Sequence, residues 1–131
     1  MAWPESGMAG ERGPRGCILI AEDEALIGIE LADQLVLRGF TVAGPFPTCS
    51  QAEEWLRANE PVAAVLDNAL ADGPCEALAR DLESRGIPFL VYSGYDHTAT
   101  LPVVFQRVPW IRKPAPVEVV LAGLTALLKD E

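Results

Sequence analysis

The chain predicts a parallel α/β sheet covered by helices on both faces. Short apolar runs of strand length alternate with segments whose apolar residues recur at helical spacing, and acids, a hydroxyl and a lysine stand directly after four of the five runs.

Cys17-Ile-Leu-Ile-Ala21 is the first run, apolar throughout as a strand buried on both faces must be. Ala25, Ile29, Ala32 and Val36 then recur as one face of a helix, which Gly39 ends because it can take positive φ. Phe40 to Ala43 reads as the second strand. Thr48-Cys-Ser-Gln51 and Ser50-Gln-Ala-Glu53 offer overlapping capping boxes for a helix carrying Ala52, Trp55 and Leu56. Val62-Ala-Ala-Val-Leu66 is the third strand and runs into Asp67. Cys75, Leu78, Ala79 and Leu82 form the next helical stripe, with Pro74 suited to its first turn and Gly86 to its end. Ile87 to Tyr92 and Pro109 to Arg112 supply the last two strands, and Val117, Val120, Leu121, Leu124 and Leu128 a terminal helix. Between those strands, His97 to Gln106 holds Thr98, Thr100, Pro102 and paired valines, so any helix there must be short or irregular. Right-handed crossovers place the helices on both faces, which gives a flavodoxin-like α/β domain with a five-stranded parallel sheet in the order 2-1-3-4-5.

At 131 residues the chain suits one domain. Residues 1–16 hold four glycines, two prolines and no periodicity, and are expected to form a flexible arm ahead of a domain spanning 17–131. That start also lacks the basic and apolar blocks of a secretory signal, and no apolar run approaches the roughly 20 residues of a membrane span. A soluble, cytoplasmic protein is expected. A net charge of −9 argues against nucleic acid and acidic membranes as partners, leaving a protein or a cation. Cys17, Cys49 and Cys75 are widely spaced and without CxxC pairing, and read as reduced packing residues.

In sheets of this kind, binding groups gather at the carboxyl ends of the strands. There stand Glu22, Asp23 and Glu24 after the first strand, Asp67 after the third, Ser93 after the fourth and Lys113 after the fifth. Each alone has a plain explanation: Asp23 and Glu24 suit a helix N-terminus, Ser93 before Gly94 a turn, and Lys113 before Pro114 the surface. Together they make a site for a hard cation and a phosphoryl group, because clustered carboxylates bind Mg²⁺ and a hydroxyl with an ammonium can cradle phosphate. Asp67 could then act as a nucleophile toward phosphorus.

In that order, Ile20-Ala-Glu-Asp-Glu24, Val65-Leu-Asp-Asn-Ala-Leu-Ala-Asp-Gly73, Val91-Tyr-Ser-Gly94 and Ile111-Arg-Lys-Pro114 resemble the response-regulator receiver domain over Cys17 to about Lys129. The resemblance implies Mg²⁺ held by Glu22, Asp23, Asp67 and the Ala69 backbone carbonyl, with Asp67 as phosphoacceptor. Ser93 and Lys113 would sense the phosphate, and the Lys113-Pro114 bond would be cis. Trp110 would follow the Ser93 hydroxyl as a switch aromatic, against a plain reading as a packed side chain. Phe89 to Tyr95, with Leu101-Pro, Phe105, Pro109 and Lys113-Pro114, resembles a narrower group of alphaproteobacterial single-domain receivers in which the fourth helix is weak; Ser93 stands where that group often has Thr.

The resemblance also implies a histidine kinase or histidine phosphotransfer protein as donor, a downstream protein bound in trans, and a phosphoacceptor rather than a turnover enzyme. Tyr95 and Ala69 would flank the path of water to the acyl phosphate. His97, a lone loop histidine, is expected to be solvated and carries no role. Two other readings compete. A haloacid-dehalogenase-type phosphatase shares the Asp, hydroxyl, Lys and Mg²⁺, but would want an acid where Ala69 stands. A receiver-like module could also bind partners without phosphorylation.

Overall fold

The structure, a computed structural model, describes residues 15–129; most of the expected arm lies outside them. Arg15 and Gly16, assigned to that arm, are described. The Arg15 amide donates to Gly39 O at 3.1 Å and its guanidinium lies 4.6 Å from the centre of the Phe40 ring.

Strands β1 (Cys17–Ala21), β2 (Thr41–Phe46), β3 (Ala63–Leu66), β6 (Phe89–Ser93) and β7 (Trp110–Arg112) form one parallel sheet in the order β2-β1-β3-β6-β7. A separate two-stranded piece, β4 (Ala69–Leu70) with β5 (Gly73–Pro74), follows β3 directly and has no counterpart among the expected elements. Leaving that piece aside, the main sheet has the expected 2-1-3-4-5 order. Helices α1 (Ala25–Leu37) and α5 (Val117–Lys129) lie on one face, and α2 (Cys49–Ala58), α3 (Glu76–Ser84) and α4 (Val103–Gln106) on the other.

The sheet divides its side chains by strand alternation. Ile18, Ile20, Val65, Leu90 and Tyr92 pack with Leu31, Leu35, Val120, Leu121 and Leu124. Leu19, Ala21, Leu66 and Val91 face Trp55, Leu56, Leu78, Leu82 and Phe105. Burying one such large apolar side chain contributes about 1.5–3 kcal/mol, which is why runs with no polar position make these strands. Among the described residues no helix is long and apolar enough to cross a membrane.

Five expectations need correction. The α1 stripe read from Ala25, Ile29, Ala32 and Val36 is not the buried face: Ala25, Ile29 and Val36 are exposed, and Gly28, Leu31 and Leu35 are buried instead. The second strand continues past Ala43 to Phe46 through a cis Gly44-Pro45 peptide. An edge strand tolerates proline, and Gly44, at φ +106, fits because a Cβ there would lie 2.4 Å from Ile20 O. Pro74 is not in the first turn of α3: it pairs in the β4–β5 piece, and Cys75 is the N-cap. Cys49 and Cys75 are not free thiols but form a disulfide, bringing the start of α2 and the N-cap of α3 to a Cα separation of 5.7 Å; Cys17 is buried and takes no part in that bond. The β4–β5 turn supplies the proximity that no local spacing announces. His97 is exposed yet anchored, its Nε2 3.0 Å from Phe105 O and its ring edge-on to Trp110 at 5.2 Å.

Of the two overlapping capping boxes, the Thr48 cap of α2 is the one observed. Thr48 Oγ1 accepts from the Gln51 amide at 3.2 Å and also donates to Gln51 Oε1 at 3.0 Å. Asp72 reinforces it from the β4–β5 turn, accepting from the Cys49 and Ser50 amides at 2.7 and 3.1 Å. Because those contacts satisfy otherwise unpaired helix donors, they tie the segment after Asp67 to the start of α2. The fourth helix is short, as its broken periodicity required: α4 has 4 residues.

Candidate functional site

The carboxyl ends of β1, β3 and β7 converge on the ammonium of Lys113. Its Nζ donates to Glu24 at 2.8 Å, to Glu22 at 3.0 Å and to Asp67 at 3.1 Å. Three of the four side chains are almost enclosed, with fractional exposures of 8% for Lys113, 4% for Glu22 and 9% for Asp67, while Glu24 is 59% exposed at the mouth. The Lys113-Pro114 peptide is cis, as the resemblance implied.

Glu24 rather than Asp23 completes this cluster for a backbone reason. The chain bends at Asp23 and is extended at Glu24, with φ −89 and ψ 104, and this path brings the carboxylates of both Glu22 and Glu24 to Lys113. Glu24 occupies the N-cap of α1 but makes no side-chain cap there, its carboxylate going to Lys113 instead. Its backbone amide donates to Glu22 Oε2 at 3.0 Å. Asp23 is exposed. The available signal for Glu24 was its place in the run of three acids that follows the first strand.

Burial pushes the Glu22 carboxyl above its ordinary value, outweighing the Glu24 amide and Lys113, both of which favour its charged form. Burial also pulls the Lys113 ammonium down, but its hydrogen bonds to Glu24, Glu22 and Asp67 prevail and hold it above the usual lysine range. The cluster therefore carries three carboxylates around one ammonium. Oxygens of Glu22, Glu24 and Asp67 lie within 4.8 Å of one another, a set of hard donors that fits a divalent cation. Such an ion would compete with Lys113 for the same oxygens.

Ser93 ends β6, fully buried, and does not join the carboxylates. Its hydroxyl donates to Asn68 Oδ1 at 2.6 Å and accepts from the Tyr95 amide at 3.2 Å. Asn68 is a residue sequence reasoning missed, since an amide after an acid has no distinctive spacing. Ala69 opens β4, its amide 3.5 Å from Asp67 Oδ1. Tyr95 is 65% exposed. Trp110 is half-buried; its indole N–H donates to Tyr95 O at 2.8 Å and its ring meets His97 and Phe105 edge-on. Arg112 donates to Gly94 O at 2.9 Å and ion-pairs with Asp96, so β7 holds the loop that leaves Ser93.

The fold is shared with known proteins. SdrG from Sphingomonas melonis Fr1 is 33% identical, matched over 85% of this chain and 94% of that one, with a TM-score of 0.71. The receiver domain of the PhyR response regulator from Erythrobacter litoralis is 26% identical over 87% of this chain and 90% of that one, with a TM-score of 0.75. The non-phosphorylated HemR receiver domain from Leptospira biflexa is 27% identical over 86% and 93%, with a TM-score of 0.74. No family model and no curated protein matches the chain. The chain belongs to the response-regulator receiver-domain family. That class is a signalling domain.

Proposed function

We propose that this domain accepts a phosphoryl group on Asp67 from the phosphohistidine of a histidine kinase or phosphotransfer protein, and passes the signal on by binding a downstream protein in trans in the cytoplasm. The observation that carries this reading is the 3.1 Å contact between Lys113 Nζ and the nearly enclosed Asp67 carboxylate, with Glu22 on the same ammonium. In the transfer, a carboxylate oxygen of Asp67 attacks phosphorus as the phosphorus–nitrogen bond breaks, and the departing imidazole nitrogen takes up a proton. Lys113 remains beside the oxygens that gain charge, which is where a fixed ammonium in a desolvated site acts most strongly.

Glu22, Asp23, Asp67 and the Ala69 carbonyl would hold Mg²⁺, with Glu24 retained as the partner of Lys113. The ion would supply Lewis-acid neutralisation of phosphoryl charge. Ser93 would donate its hydroxyl to a phosphoryl oxygen, and Trp110 would respond through the Tyr95 carbonyl that it already holds. The narrower single-domain receiver group remains our reading of the subfamily, supported by the four-residue α4.

Incubation with acetyl phosphate and Mg²⁺, followed by intact mass measurement, tests the assignment. The wild type is expected to gain one phosphoryl group and Asp67→Asn none; equal labelling of both would remove Asp67 as acceptor. Sustained turnover of p-nitrophenyl phosphate would favour a phosphatase instead.

A further inference from the structure

Ser93 has one hydroxyl proton, and in this structure that proton is committed to Asn68. The residue is 0% exposed, so no water competes, and both sides of the hydroxyl are used: the proton goes to Asn68 Oδ1 at 2.6 Å, and the oxygen accepts from the Tyr95 amide at 3.2 Å. Asn68 is itself held in place. Its carbonyl accepts from the Cys75 amide at 2.9 Å, and Cys75 is bonded through its disulfide to the start of α2. Asn68 is also the residue directly after Asp67, so the acceptor carboxylate and the group that holds the hydroxyl share one short stretch of backbone.

From this we infer that Asn68 is a positioning residue that latches Ser93 in the unphosphorylated arrangement and sets how readily the switch is thrown. The inference rests on the proposed role of Ser93 toward phosphate. A hydroxyl can donate to only one acceptor at full strength, so donating to a phosphoryl oxygen on Asp67 requires breaking the bond to Asn68. The amide is neutral and the phosphoryl oxygen charged, so the exchange favours phosphate once it is present, and without it Asn68 wins. The latch couples outward as well, because the second partner of the hydroxyl is the amide of Tyr95, whose carbonyl receives the Trp110 indole N–H at 2.8 Å.

The test is a cycle of variants: Asn68→Leu, which keeps the shape and removes the acceptor; Asn68→Asp, which restores an acceptor; and each in a Ser93→Ala background. Labelling by acetyl phosphate and Mg²⁺ is followed by intact mass, and the Tyr95 amide by ¹⁵N correlation spectra without phosphate. Asn68→Leu is expected to label faster, on the order of threefold to tenfold for one hydrogen bond no longer opposing the switch. It should also displace the Tyr95 amide resonance in the unphosphorylated protein, and Asn68→Asp should return that resonance toward its wild-type position. In the Ser93→Ala background, Asn68→Leu should do neither. If Asn68→Leu leaves the Tyr95 resonance in place, or accelerates labelling equally with and without the Ser93 hydroxyl, Asn68 is no latch. Should Asn68→Leu fail to fold, Asn68→Ala serves with the same readouts. The spectra need no phosphate, so they decide the latch even if Asp67 proves not to be the acceptor, which the Asp67→Asn labelling reports separately.

Discussion

Glu24 reaches Lys113 at 2.8 Å from the exposed mouth of the site, whereas Glu22, at 3.0 Å, meets the same ammonium from the interior. The shorter contact is not the more costly to lose. An exposed carboxylate is screened by water and returns to it readily, so Glu24→Gln should change stability by under about 1 kcal/mol. Lys113→Met leaves Glu22 and Asp67 enclosed without a counter-charge and should cost about 3–5 kcal/mol. Urea unfolding of both variants near neutral pH checks this, and equal losses would show that the interior acids do not depend on Lys113.

Glu22 should make stability fall as pH rises. Its folded value lies above the ordinary value of 4.5, so the folded state binds the proton more tightly than the unfolded one. Below the unfolded value both states are protonated and no penalty exists; the penalty grows through the interval up to the folded value and then persists. Glu22→Gln is therefore expected to match the wild type at low pH and to exceed it in stability at neutral pH. A difference between the two proteins that stays constant across that pH range would contradict a raised Glu22 carboxyl.

Asp72 has the opposite sign. The Cys49 amide, followed by that of Ser50, holds its carboxyl below the ordinary value of 3.8 despite some opposing desolvation. Its contribution is complete above the unfolded value and is lost as pH falls through the folded one. Asp72→Ala should cost about 1 kcal/mol at neutral pH, as removal of a helix cap does, and progressively less in strong acid. Thermal melts across that range measure it.

The Cys49–Cys75 disulfide closes a loop with a sequence separation of 26. Cross-links of this kind stabilise by about 2–4 kcal/mol, chiefly by restricting the unfolded chain. Dithiothreitol is expected to lower the melting temperature of the wild type and to leave a Cys49→Ala, Cys75→Ala double variant unchanged. Equal response of both proteins would place the effect elsewhere.

Most of the fold was legible because burial imposes a simple pattern: strands enclosed on both faces must be apolar throughout, and Cys17–Ala21 and Ala63–Leu66 are. Asp67 was legible because it follows such a run, and Lys113 because it follows the short Trp110–Arg112 strand and precedes a proline. Legibility failed where long-range closure overrides local preference. Pro74 has a good helix-start signal, yet the pairing of Ala69–Leu70 with Gly73–Pro74 claims it first, and that same piece carries Cys75 to Cys49. Asn68 lay beyond reach because its importance comes from the hydroxyl at the end of β6, 25 residues away in sequence.

The stretch around α4 is closed by side chains more than by a backbone ladder. Gln106 Nε2 reaches the carbonyls of Leu101, Ala99 and Thr98 at 2.6, 3.2 and 3.4 Å, and His97 meets Phe105 O at 3.0 Å. Those ties form a purse-string, and its two ends are drawn by single residues that contribute nothing to the sheet. Val104 and Phe105 stay packed in the core when it loosens, so amide protons from 97 to 101 should trade with solvent through a private opening, well before the domain as a whole comes apart.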